Sequence, residues 1–244
     1  DDFEFLCAFK KEGEPVYFRL IHDNTRSYSK NENCLLKDNA DEYGFMRTVF
    51  KRYQRKGYGI FFVVNDGGQR KESISWITAQ FGDADFSKKE IGRDDKGKPI
   101  FECRTRDEIE VCKQEFLERL QQFELEPSII VETKNGFHFY WLLKRNEPQD
   151  LRMFEPIQKA IITKFKSDPK ITNLDRVLRL PNYLHLKDSK DPFMVKCIKF
   201  DPHLRYTQDE LAISLGCDLS NLDSKTSKKY VAERNEDEHK TNVV

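Results

Sequence analysis

Residues 127–143, PSIIVETKNGFHFYWLL, are the stretch on which the fold class turns. PSIIVET (127–133) and GFHFYWLL (136–143) are runs of β-branched, aromatic and aliphatic residues, and Lys134–Asn135–Gly136 between them is turn chemistry. The stretch predicts two strands joined by a tight hairpin. Side chains alternate along a strand, so Phe137, Phe139 and Trp141 share one face while His138 and Tyr140 share the other. A histidine in that position is either a hydrogen-bonded structural residue or, two residues past a glycine turn, a donor to a phosphate.

Helices are expected on both sides of the hairpin. Thr105 and Glu108 make a capping box for a helix over 105–123, whose apolar stripe is Ile109, Cys112, Phe116, Leu117 and Leu120. A second helix over 148–166 carries Leu151, Phe154, Ile157, Ile161 and Phe165, and a third over 207–215 opens with Thr207 and Glu210. Further out, GIFFVVN (59–65), ISWITAQFGDADF (74–86) and FMVKCIKF (193–200) read as buried strands, and RDDKGKPIF (93–101) as a loop or hairpin tip. A helix is expected near 41–56, and 167–190 reads as a loop. Strands interleaved with helices around a central hairpin predict an α+β domain with a mixed or antiparallel sheet and helices on its faces.

The second strand ends in two acids one residue apart, Asp83 and Asp85. They point the same way about 7 Å apart along the backbone. Two carboxylates so placed repel unless a proton or a divalent cation sits between them. A solvated strand end with capping aspartates is the plainer alternative, but the strand before them is wholly apolar, which sets the pair at the mouth of a core. A third charged stretch is SDPKITNLDRVLRLPNYLHLKD (167–188), with Asp168, Asp175, Arg176, Arg179 and Lys187. Its RVLRLP centre interleaves apolar anchors with arginines, which fixes guanidinium groups as phosphate recognition requires. Three carboxylates with one histidine, two arginines and a lysine fit two-metal phosphoryl transfer.

Bulk properties restrict the classes. The chain has 244 residues with 42 basic and 42 acidic side chains, a formal net charge of zero, unlike a generic polyanion-coating domain. Its six cysteines show no CxxC or Cys/His knuckle spacing and read as reduced thiols. No apolar run approaches the roughly 20 residues of a membrane span, and no signal-peptide pattern opens the chain, so a cytoplasmic setting without membrane is expected. The first residue is not Met, and the polar stretch 218–244 reads as a linker or disordered tail, as expected of a fragment of a longer protein.

Taken in order, the motifs resemble the archaeo-eukaryotic primase superfamily, the primase-polymerases, most closely those of phage and plasmid replication proteins. An apolar strand ends in Asp83-x-Asp85. TKNGFH ends at His138. An aspartate, Asp168, stands eight residues before the RxxRLP segment of Arg176 and Arg179, which His185 and Lys187 follow. The family register selects Asp168 over the nearer Asp175. The resemblance covers roughly residues 58–200. Thr133 and Lys134 stand where the family's second motif begins with serine, and Asn182 replaces the glycine after RLP, a residue that tolerates a left-handed turn. No zinc element is visible.

The resemblance implies an RRM-like catalytic sheet packed with a smaller α/β lobe, the site lying in the cleft between them. It implies N-terminal elements over 1–57 and a catalytic core over 58–217. It implies two Mg²⁺ or Mn²⁺ ions held by Asp83, Asp85 and Asp168. The incoming NTP or dNTP would meet His138, Arg179 and Lys187, with Arg176 and Lys134 beside them. A single-stranded DNA template, and a helicase domain or replication protein beyond the fragment, are the implied partners, in a nucleoid- or replicon-associated setting. The basic segment Lys51–Lys56 is either a solvated helix end or a contact for template backbone.

Two other classes compete. IIVETK (129–134) ends in Glu132-x-Lys134, the pattern of a metal-dependent nuclease, but that reading leaves His138 and the third aspartate without roles. A non-catalytic RRM-like module would have stacking aromatics and no need of clustered acids, which repel a phosphate backbone.

Overall fold

The apolar runs become the strands of two sheets that share one core in the computed structural model of the chain, which describes residues 1–10, 13–25, 28–36, 41–188, 190–217 and 219. The stretch expected to be a linker or tail thus lies, apart from residue 219, outside the described residues. The chain begins with α1 (Asp2–Phe9), β1 (Pro15–His22), β2 (Ser29–Leu35), α2 (Asp41–Gln54) and β3 (Tyr58–Val63). Next come β4 (Ala79–Asp85), β5 (Lys88–Arg93), β6 (Pro99–Cys103), α3 (Arg106–Gln121), β7 (Ile129–Thr133), β8 (Gly136–Leu143) and α4 (Phe154–Phe165). Short elements close it: β9 (Val177–Arg179), β10 (Leu184–His185), β11 (Phe193–Met194), β12 (Lys196–Phe200), β13 (Arg205–Tyr206) and α5 (Gln208–Ser214).

The first sheet has the antiparallel order β2-β1-β3-β9, so it draws strands from both ends of the chain. The second runs β12-β7-β8-β4, also antiparallel, with β13 parallel to the end of β8. The expected hairpin is its centre: Thr133 pairs Gly136 and Val131 pairs His138. β5 and β6 form a separate hairpin.

Alternation along β8 divides the core. Phe116 of α3 and Phe165 of α4 pack on Phe139, which closes the helical side. Gly82 lies beneath that ring, where an added Cβ would come within 1.9 Å of Phe139. On the other side Tyr140 meets Phe9 of α1 and Phe62 of β3, which joins the two sheets. His138 shares that side, so the pleat aims it toward the first sheet.

Among the described residues, no strand pairs the outer edge of β4, and side chains take its place. The Gln158 amide accepts from Phe81 N at 3.0 Å and donates to Phe81 O at 2.9 Å and Ile171 O at 2.8 Å. Farther up the chain, Gln149 does the same for Ile77 N and O, and Asn65 Oδ1 accepts from Thr78 N. Buried backbone groups are thereby paired without a ladder.

Two expected strands are shorter than their apolar runs. Over 74–86 the ladder starts at Ala79, because Ser75 and Trp76 bend back to bond Asp66. The run 193–200 is broken at Val195, which bonds Tyr183 and Asn182 and is buried, while Lys196 onward pairs β7. The region 167–190, expected as a loop, contains β9. Among the described residues no helix is long and apolar enough to cross a membrane.

Candidate active site

Asp83 on β4 and His138 on β8 are direct cross-strand partners, with His138 Nε2 3.8 Å from Asp83 Oδ1. Asp85 lies opposite Gly136, on the same side of β4 as Asp83. The third aspartate arrives from α4. That helix ends on Lys166 in the left-handed conformation (φ 53°), and the chain then turns so that Asp168 N donates to Asp83 O at 2.7 Å. Arg176 Nη2 reaches Asp168 Oδ2 at 3.3 Å. The structure therefore sets Asp168 beside Asp83, whereas Asp175 bonds Asn173 at 2.7 Å. Asn182 adopts the left-handed turn its position suggested (φ 70°).

Arg179 is built in more firmly than its motif suggests. Its guanidinium pairs with Asp23, at the end of β1, and lies 4.6 Å over the Phe61 ring. Gly59 makes room: a Cβ there would stand 2.4 Å from Arg179 Nη1. Asp23 Oδ2 also accepts from Leu186 N at 2.7 Å, which ties the strand end to the segment carrying His185 and Lys187. The sequence marks none of Asp23, Gly59 and Phe61 as a site residue: Gly59 and Phe61 read as part of a buried strand, and nothing around Asp23 signals a distant arginine.

The electrostatics are those of a crowded, half-dry site. Burial pushes the Asp83 carboxyl up to about 7; Asp168 and Asp85 push the same way, against Arg176 and Arg179. Burial also pushes His138 down to about 3, helped by Arg179, Arg176 and His185. His185 falls to about 4 through burial and Arg179, with Asp23 opposing. His138 is thus a neutral imidazole at pH 7, and its approach to Asp83 is not an ion pair. Three buried polar atoms without a partner belong to this group: His138 Nδ1, His185 Nδ1 and Arg176 Nε. Buried groups left unsatisfied in this way suit a site that receives a polar ligand.

The donor set fits a hard divalent cation, because Asp83, Asp85 and Asp168 offer carboxylate oxygens and their mutual repulsion is what a cation relieves. Among the described residues, however, no three such groups are gathered at metal-holding distance. Asp85 Oδ1 accepts from Ser87 N and Asp168 Oδ1 from Lys170 N.

Other predicted residues lie farther from this centre. Lys134 Nζ is 2.9 Å from the Asp191 carboxylate, and Lys187 is exposed, though both act electrostatically on His185. Glu132 is on the opposite face of its sheet from Asp83, where the buried Lys113 holds it at 2.8 Å. The pleat thus takes the nuclease pattern Glu132-x-Lys134 out of the acidic pair's reach. The basic segment 51–56 spans the end of α2 and the turn after it, with Arg52 and Lys56 each 5.8 Å from the Tyr53 ring. A cavity of about 750 Å³ lined by Lys159, Thr163, Leu215 and Leu219 shares no residue with the site.

Residues 107–215 match the family model described as the RepB DNA-primase N-terminal domain. Over nearly the whole fold, the AEP domain of the cyanophage S-2L primase-polymerase superposes with a TM-score of 0.58 at 17% identity, covering 87% of this chain and 95% of that one. The chain has the fold of this primase-polymerase domain. Primase RepB′ matches with a TM-score of 0.57 at 11% identity, covering 97% of this chain and 68% of that one. The catalytic domain of primase RepB′, solved in complex with initiator DNA, matches at 0.55 and 12% identity, covering 88% and 93%. No protein of curated function matches the sequence closely enough to count as a relative. In this primase fold the matched stretch 107–215 contains His138, Asp168, Arg176 and Arg179, while Asp83 and Asp85 precede it.

Proposed function

We propose that the chain is a DNA primase-polymerase that transfers nucleotides from NTPs or dNTPs in the order set by a single-stranded DNA template. The observation that carries this reading is the meeting of Asp83, Asp168, His138 and the two arginines where the sheets join, in a primase-type fold. The match to a RepB primase domain and the initiator DNA bound by a structural relative support DNA as the template.

In this reading Asp83, Asp85 and Asp168 hold two divalent cations. Those ions, when bound, lower the pKa of the attacking hydroxyl and offset charge on the departing pyrophosphate. His138, kept neutral, donates a hydrogen bond to the triphosphate without adding charge. Arg179, fixed by Asp23 and Phe61, presents its remaining donors to the same group, and Arg176 sets Asp168. Lys187, exposed at the rim, and Lys134 add positive potential.

The test is nucleotide incorporation on a single-stranded DNA template, with and without an annealed primer, using labelled ribo- and deoxynucleotides and Mg²⁺ or Mn²⁺ separately. Products of template length, absent from the Asp83→Ala/Asp85→Ala variant, are expected. Shortened template with no incorporation would overturn the reading and return attention to Glu132.

A further inference from the structure

Among the described residues, no helix covers one face of the first sheet. The opposite face carries Phe18, Leu20 and Phe62 into the core with α1 and α2. On the open face, Asn31 of β2, Arg19 of β1, Phe61 of β3 and Arg179 of β9 are successive cross-strand partners, a single row across four strands. Three strand spacings of about 4.8 Å carry that row about 14 Å outward from Arg179. Tyr17 and Ile21 flank Arg19 on β1, and Ser29 and Asn33 flank Asn31 on β2, all on the same face.

Three properties of this face point to one kind of partner. Tyr17, Ile21 and Phe61 are only partly buried and belong neither to the packed core nor to the apolar fringe against it. Within the four strands no acidic residue lies on this face, and Asp23, just past β1, is paired with Arg179; the face carries Arg19 and Arg179 together with amides and a hydroxyl on β2. Its inner end is continuous with the candidate site, because the Arg179 guanidinium acts on both Asp83 and His138. Half-buried aromatics beside arginines suit unstacked bases with their phosphates. A duplex hides its base faces and would leave Tyr17 and Phe61 without a use.

We infer that this open face binds single-stranded DNA and leads it to the active site, with bases stacked on Tyr17 and Phe61 and a phosphate on Arg19. The inference rests on the proposed function and names where its template lies.

Binding of a fluorescein-labelled oligodeoxythymidylate, read by anisotropy without nucleotide on the Asp83→Ala/Asp85→Ala background, separates the inference from catalysis. Tyr17→Ala and Phe61→Ala should each weaken binding about tenfold, and Tyr17→Phe should keep it. Arg19→Ala should lower the slope of log affinity against log salt by about 0.7, as expected for one lost single-strand phosphate contact. That side chain lies outside the core, so its readout survives if the aromatic variants fail to fold. Unchanged affinity in Tyr17→Ala with an unchanged salt slope in Arg19→Ala overturns the inference and leaves the proposed function standing. So does an equal loss from Phe101→Ala on the exposed β5–β6 hairpin. Absence of incorporation by the unmodified chain on every template overturns the proposed function instead.

Discussion

Asp83 and His138 are neighbours whose proton equilibria have moved in opposite directions, and the two shifts offset each other in stability. Asp83, raised from 3.8 to about 7 chiefly by burial, holds a proton in the folded state that the unfolded chain has released. Its contribution therefore falls as pH rises from about 4 to 7. His138, lowered from 6.5 to about 3 chiefly by burial, is charged first in the unfolded chain, so its contribution falls as pH drops below about 6.5. Asp83→Asn should raise the melting temperature near pH 8 without divalent cations and leave it unchanged near pH 4. The gain should be about 1–2 kcal/mol, less than the full shift because the side chain is 23% exposed. His138→Gln should flatten the acid limb of the same profile. Equal gains from Asp83→Asn at both pH values would show that its charge is not what the variant removes. A second residue-scale prediction concerns Asp23→Ala, which strands a guanidinium only 13% exposed and removes the acceptor of Leu186 N. It should cost about 3 kcal/mol in urea unfolding and raise the apparent KM for nucleotide as Arg179→Ala does. Unaltered nucleotide dependence would make that clamp purely structural. Asp83, Asp85 and His138 could be placed because each stands at a fixed offset from a strand end or turn, whereas Asp168, Arg176 and Arg179 were ordered only by the family resemblance. Asp23 was not legible, since its partner lies 156 residues away.

The edge of β4 decides where two of the three aspartates sit, and Gln158 holds that edge. Gln158→Leu nearly conserves volume but leaves Phe81 N–H, Phe81 C=O and Ile171 C=O buried without this partner. A loss of about 2–4 kcal/mol is expected from denaturant midpoints, with weaker Mn²⁺-dependent incorporation because Asp168 hangs from the same strand. Full incorporation despite that loss would separate the edge from the site. Secondary structure with local causes was readable: the capping box of Thr105 with Glu108 and that of Thr207 with Glu210 both form. β9 was not readable, because three residues give no periodicity and its partner β3 is more than a hundred positions earlier. An amide that substitutes for a strand also has no signature, since Gln158 looks like any polar residue in a helix.

Across the molecule, α1 binds the two sheets together and ties them to the motif segment. The Asp2 carboxylate accepts from Tyr43 Oη and Tyr183 Oη, each at 2.9 Å, and pairs with Arg47. Lys10, at the other end of the helix, is buried and donates to Val64 O and Asn65 O while pairing with Asp66. Asp2→Ala should cost about 3 kcal/mol by leaving two tyrosine hydroxyls unpaired, and it should loosen the turn after RLP through Tyr183. Hydrogen exchange at Leu184 and Leu186 would register that loosening, and unchanged protection there would limit the effect to α1. The α+β class was plain from the alternation of strand and helix patterns, but a division of the strands into two units came only from the family resemblance, because hydrophobic period reveals a strand without its neighbours.

The order β2-β1-β3-β9 has a consequence in time. Its first three strands have left the ribosome long before Val177–Arg179 is made, and until then β3 carries an unpaired hydrogen-bonding edge. Closing that edge is a long-range step, the kind that slows folding and exposes a nascent chain to mispairing. The strand that ends the wait also delivers Arg179 to Asp23, so closing the first sheet and building that clamp are one event.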